Sequence, residues 1–267
     1  MDLSERSDAG ARRHPWETAR VSAIQRIVSG LGLSAPRVLD VGAGDGYLLG
    51  ALHAALGFRR AIAQDIHLTE SLARELSQPG IEFVRELTDP EYRAELILLL
   101  DVLEHVEDPA ALLSQLARER LAVGGRLLIT VPAFQTLYTE HDRALKHFRR
   151  YSRGQVIEQV QRAGLSVIES GYLFASLLVP RAVQALRERL SAPPSAERPS
   201  AERPSAERPS AEQHGDRVHG VGHWQAGARI TQLLHSALVL DNRFCLAASQ
   251  RGLSVPGLTV WLTCKAA

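Results

Sequence analysis

Val38-Leu39-Asp40-Val41-Gly42-Ala43-Gly44-Asp45-Gly46-Tyr47-Leu48 is the stretch that decides the fold. Arg37–Val41 is a short, mostly apolar run that predicts a buried strand, and Tyr47–Leu56 predicts the helix after it. Glycines at every second position fill the turn between them. Without a Cβ, glycine enters the φ > 0 region at little cost and lets a ligand lie directly on the backbone. Strand, Gly-rich turn and helix N-terminus together form the cradle on which nucleotide-like molecules lie in doubly wound sheets.

The glycine spacing then separates ligand classes. A dinucleotide fingerprint is G-x-G-x-x-G, but Tyr47 stands where its third glycine belongs, and Gly46 comes one position early. Asp40 lies inside the strand, where an anion repels a pyrophosphate and suits a cationic ligand. The D-x-G-x-G-x-G pattern resembles motif I of the class I S-adenosylmethionine (SAM)-dependent methyltransferases. SAM carries a sulfonium and an ammonium and no phosphate. The resemblance implies SAM as cofactor, held by Asp40, Gly42, Gly44 and Gly46.

Outward from the turn, strands and helices alternate. Pro15 to about Leu31 has apolar residues at helical spacing, Ala61–Ala63 is a short strand ending at Asp65, and Leu68–Leu76 is helical. Strands are expected at Ile81–Val84, Leu96–Leu100, Arg126–Val131, Ser166–Glu169 and Leu258–Thr263. Asp89-Pro90 and Asp108-Pro109 both read as helix starts, and Gly124-Gly125 reads as the end of the helix at Leu112–Leu121. Ser152-x-x-Gln155 is a capping box opening a helix that runs to Gly164. The expected fold class is α/β: a doubly wound, mostly parallel seven-stranded sheet of the Rossmann-like methyltransferase type, with helices on both faces.

The organisation is one domain over 15–267 behind a flexible N-terminus, 1–14. Pro194–Glu212 repeats Pro-Ser-Ala-Glu-Arg, a composition that cannot bury apolar surface and is expected to be a disordered loop. Tyr172–Leu190 and Trp224–Leu240 flank it and are apolar on a helical period. They are expected to pack on each other and the sheet edge, or to wall the acceptor pocket.

With 45% hydrophobic and 23% charged residues and a formal net charge of +1, the chain suits an ordinary globular enzyme and gives no reason to expect nucleic acid as a partner. Cys245 and Cys264 lie far apart without metal-ligand spacing, so no metal is expected. The start of the chain lacks the apolar core of a signal peptide and no apolar run is long enough for stable membrane insertion; a cytoplasmic location is expected. Oligomeric state is not legible.

Four further groups of residues bear on chemistry. Asp65, at a strand end about 20 residues after the turn, is placed to accept hydrogen bonds from ribose hydroxyls, with a solvated loop aspartate as the plainer reading. Glu86-Leu87 follows the next strand, where the methyltransferase class often brackets the adenine. Asp101-Val102-Leu103-Glu104-His105-Val106 looks like a D-V-L-E-H-V segment of small-molecule methyltransferases, including the quinone-biosynthesis O-methyltransferases. That likeness puts Asp101 near the donor's charge and leaves His105 either a base or a turn cap. The segment Pro132–Arg153 is a long loop without a clear helix, rich in aromatics, histidines and arginines. It resembles a subgroup with H-D-x-x-x-x-H-x-R-R-Y in this place.

In that segment His141 or His147 suits a general base, and His147, Arg149 and Arg150 suit acceptor binding. The plainer alternative pairs the arginines with Asp142 or Glu140 to hold a lid. The expected reaction is methyl transfer to a small-molecule or lipid-linked acceptor, O-methylation first because of the histidines. A nicotinamide-dependent oxidoreductase and a non-catalytic methyltransferase-like module are the alternatives.

Overall fold

The computed structural model describes residues 13–191 and 224–266, and the Pro-Ser-Ala-Glu-Arg repeat lies outside them. The expected element order holds through most of the chain. Helix α1 (Pro15–Ser29) is followed by β1 (Arg37–Val41), α2 (Tyr47–Leu56), β2 (Arg60–Gln64), α3 (Glu70–Glu75), β3 (Ile81–Val84) and β4 (Ala94–Leu100). Then come α4 (Pro109–Glu119), β5 (Leu121–Pro132), α5 (Glu140–Ala144), α6 (Arg153–Arg162), β6 (Leu165–Leu173), α7 (Leu178–Ser191), α8 (Ala228–Gln250) and β7 (Thr259–Ala266).

The strands form one sheet in the order β3-β2-β1-β4-β5-β7-β6. Strands β1 to β5 pair in parallel, whereas β7 runs antiparallel to both β5 and β6. The sheet is therefore mixed. An apolar run such as Leu258–Thr263 reports burial and not direction, so the sequence could not show the reversal. Strand β7, which follows residues 192–223, inserts between strands that precede them, and both parts of the chain share one sheet.

Alternation along the central strand builds two cores. Leu96, Leu98 and Leu100 pack with Ile24, Leu49, Leu52 and Leu246, from α1, α2 and α8. Ile97 and Leu99 point the other way, to Leu113 and Leu116 of α4 and Val156 and Val160 of α6. Burying each such side chain stabilises by roughly 1.5–3 kcal/mol, and a strand buried on both faces must read as a continuous apolar run.

Local signals hold at two helix starts and fail at two other places. Ser152 and Gln155 form the expected capping box, and Asp108 caps α4 with Pro109 at its first position. Asp89-Pro90 opens no helix: Asp89 instead accepts from the Glu91 N–H at 2.9 Å, and Tyr92 is drawn into the core with its hydroxyl on the Val38 carbonyl. Helix α4 stops before Gly124-Gly125, at Glu119. The glycines lie inside β5, where Gly124 at φ 75° accommodates the irregular register between Leu121 and Arg126.

The expected loop over Pro132–Arg153 contains α5, started by Thr139 and Asp142. Tyr172 belongs to β6, not to a helix. Helix α8 packs on α1 and β6, whereas Val179, Val183, Leu186 and Leu190 of α7 are exposed. The helical period was right, but it did not say what covers the apolar face. Among the described residues, no helix is long and apolar enough to cross a membrane.

Candidate active site

Parallel strands deliver their carboxyl ends to one edge of the sheet, and ligands in open α/β sheets bind there. Here β1 ends in the glycine turn, β2 in Asp65, β4 in Asp101 and β5 in Pro132. Gly42, Gly44 and Gly46 all have positive φ (74°, 58° and 70°), and a Cβ on Gly46 would lie 2.5 Å from the Phe83 ring. Glycine at these positions is thus a requirement of the turn and of its packing.

The Gly44 N–H donates to Asp65 Oδ2 at 3.0 Å, and the His67 N–H donates to Oδ1 at 2.9 Å. Asp65 is thereby fixed beside the turn. Asp40 is buried in β1, and its Oδ1 has no hydrogen-bond partner. Burial pushes its carboxyl up to about 7, and the charge of Asp65 adds to the effect. Helix α1 lies across this region: Trp16, Glu17 and Arg20 line a small cavity with Asp40, Gly42 and Tyr47. Arg13 pairs with Asp45 and stacks over the Tyr47 ring.

An adjoining cavity of about 300 Å³ is lined by Asp101, Glu104, His105, His141, His147, Arg150 and Arg181, with Trp16 and Leu177 as apolar walls. Asp101 sits at φ 59°, a left-handed backbone that aspartate tolerates better than most residues. Burial opposes its charge, but the Arg20 guanidinium at 2.9 Å and the Thr130 hydroxyl at 2.9 Å hold its carboxyl below the usual range. Glu104, on the single 3₁₀ turn Leu103–His105, is 0% exposed and has no hydrogen-bond partner for either carboxylate oxygen. Burial and the nearby Asp101 charge raise its carboxyl well above the usual range. A separate cleft of about 470 Å³ between α1 and α8 is larger but holds none of these groups.

The hub of the wall is Asp142, also fully buried. It accepts from His147 Nδ1 (3.0 Å), Arg150 Nε (2.8 Å), an Arg181 terminal nitrogen (2.7 Å) and the Thr139 N–H (2.9 Å). Burial works against its charge, and these donors hold the carboxyl far below its ordinary value. His141 lines the cavity from α5; burial and the Arg181 charge lower its pKa, keeping the ring neutral at pH 7.

The structure brings together Asp101, His105, His141, His147 and Arg150 from the expected set. Arg150 serves Asp142 and the Ala133 carbonyl, which is the lid role of the plainer reading. Arg149 does not line the cavity; its guanidinium donates to the Glu107 carbonyl at 3.2 Å. Glu86 is exposed beyond β3 and lines neither cavity, and Leu87 packs into the core instead of facing a ligand. Leu177 comes from the Tyr172–Leu190 stretch, whose alternative reading was a wall of the acceptor pocket, whereas Trp16, Arg20, Glu104 and Arg181 were not anticipated. Only Arg20 carried a signal, standing one helical turn before Ile24 on the buried stripe of α1.

A family model described as a methyltransferase domain matches residues 13–170, more than half of the chain. The chain belongs to the class I SAM-dependent methyltransferases. The methyltransferase matches no curated protein. Its fold is similar to that of a protein assigned as a methyltransferase and solved in complex with the Trm112 methyltransferase activator of Haloferax volcanii. That match has 17% identity and a TM-score of 0.51, covering 95% of this chain and 90% of that one. It is also similar to a protein assigned as a sarcosine dimethylglycine methyltransferase from Galdieria sulphuraria, at 13% identity and TM-score 0.51, covering 94% and 86%. The nicotinamide reading is thereby set aside. The cradle of this methyltransferase suits its family's cofactor: the orphaned Asp40 oxygen is a buried acceptor awaiting a donor or cation, beside glycines that leave the backbone bare.

Asp40→Asn provides a test. A carboxyl whose folded pKa is raised weakens the fold as pH rises from about 4 through 7, because the unfolded chain ionises first. The asparagine variant lacks that loss. At pH 8 it is expected to be more stable by roughly 2 kcal/mol, about half the full offset because its amide is buried too. The gain should vanish at pH 5 in thermal melts, while affinity for S-adenosylhomocysteine falls.

Proposed function

We propose that this methyltransferase methylates a hydroxyl group of a small or lipid-linked acceptor held in the 300 Å³ cavity. The observation that carries the reading is His141: an imidazole kept neutral by burial and by Arg181, facing a cavity that adjoins the glycine turn. In this reading Asp40, Gly42, Gly44, Gly46 and Asp65 hold the donor, and Asp101 sits near its charge. Bound SAM supplies an already activated methyl group, so the protein's own task is alignment, exclusion of water and removal of one proton.

His141 takes the proton from the acceptor hydroxyl at a ring nitrogen; the ordinary histidine pKa near 6.5 and its downward shift leave that nitrogen free at neutral pH. Arg20 keeps Asp101 ionised and in place. Trp16 and Leu177 offer apolar walls to an aromatic or alkyl acceptor.

The experiment is transfer of labelled methyl from SAM to matched phenols, amines and carboxylic acids. Phenol methylation with little amine methylation supports the reading. Preferred transfer to amines or carboxylates overturns it.

A further inference from the structure

Outside the roles just assigned, one group of side chains in the cavity remains without a task. Glu104, His105 and His147 each offer one ligand atom, and these atoms all lie within 4.8 Å of one another. We propose that they form a site for a divalent transition-metal ion. Sequence spacing gave no sign of it, because His147 comes from the segment after β5 and the other two from the turn after β4.

The donor set is two imidazoles and one carboxylate, which suits zinc, manganese, iron(II) or cobalt(II). Two ligand atoms bound at about 2.2 Å to one ion are at most about 4.4 Å apart. The observed bound of 4.8 Å is slightly wider than that span, so binding an ion requires the three side chains to draw together. Both oxygens of Glu104 are buried and unpartnered, an arrangement that costs free energy unless something in the cavity meets them.

His147 supplies a second, independent sign. Asp142 is an ionised carboxylate engaged by two arginines, so it can only accept. The 3.0 Å contact therefore fixes the proton on His147 Nδ1 and leaves the Nε2 lone pair for a ligand. A carboxylate that orients a metal-binding histidine in this way is the usual outer support of such sites. The His105 ring meets His147 edge-on with centroids 4.6 Å apart, close enough to share an ion.

Three protein ligands leave coordination positions open toward the cavity. There an ion would bind the acceptor's oxygen and lower its pKa beside His141. This role rests on the methyl-transfer reading above, whereas metal binding itself does not.

The test uses the full chain, stripped with a chelator and titrated calorimetrically with Co²⁺ and Zn²⁺, with Co²⁺ absorption followed in parallel. About one tight equivalent is expected. Glu104→Gln, His105→Ala and His147→Ala should each weaken it roughly 10–100-fold, and His235→Ala on α8 should leave it unchanged. Thermal melts identify any variant that fails to fold; Glu104→Gln, which keeps the shape of the buried side chain, keeps the test decisive in that case. Binding of S-adenosylhomocysteine is measured on the same stripped samples, separating failure of the metal site from failure of the methyltransferase reading. No binding by the folded stripped chain, or equal affinity in the three variants, overturns the proposal.

Discussion

Replacing His141 by alanine is expected to lower kcat by roughly 10²–10⁴-fold, with affinity for S-adenosylhomocysteine nearly unchanged. His141 lines the acceptor cavity and not the smaller one over the glycine turn. Its loss should therefore remove proton transfer and spare donor binding. The wild-type rate should fall as pH drops through the lowered histidine pKa, because the protonated ring cannot act as a base. That acidic limb should be missing from the residual activity of the variant. A variant of normal rate would move the base to His105 or to a metal-bound acceptor.

Asp142→Ala is expected to destabilise the protein by about 3–5 kcal/mol, since it leaves the buried Arg150 and the half-buried Arg181 without their counter-charge. For a chain of this size that is a fall in Tm of roughly 6–20 °C. A carboxyl depressed in the folded state contributes fully above its unfolded pKa near 3.9 and progressively less as pH falls toward its folded value. The gap between wild type and variant should thus be largest near neutrality and shrink on acidification. Equal Tm values at pH 7 would show that the arginines find other partners.

His141 and Asp142 stood out in the sequence as an unusual dipeptide, but their separate roles depend on which way each side chain leaves α5. The glycine turn was readable because everything it needs is local: an apolar strand, glycines, then a helix. Asp65 and Asp101 followed because strand ends are local too. Arg181 was not readable, and Arg20 only as a cation on the buried stripe of α1, since each reaches its carboxylate from a helix remote in sequence. Glu104 was passed over because a glutamate on a turn is normally solvated, and only the packing of the segment after β5 buries it. The direction of β7 was hidden for the same reason: strand pairing is a property of the sheet, not of the run of residues.

The most direct measurement is calorimetric titration of S-adenosylhomocysteine into the wild-type chain and into Gly44→Ala, with NAD as comparator. Gly44 has φ 58°, where a Cβ costs about 1–2 kcal/mol, and its N–H holds Asp65 beside the turn. The account predicts one equivalent of S-adenosylhomocysteine bound by wild type, at least roughly tenfold weaker binding by the folded variant (about 1.4 kcal/mol) and no response to NAD. A folded wild-type chain that ignores S-adenosylhomocysteine, or a Gly44→Ala protein that binds it equally well, would contradict the placement of the donor over the glycine turn.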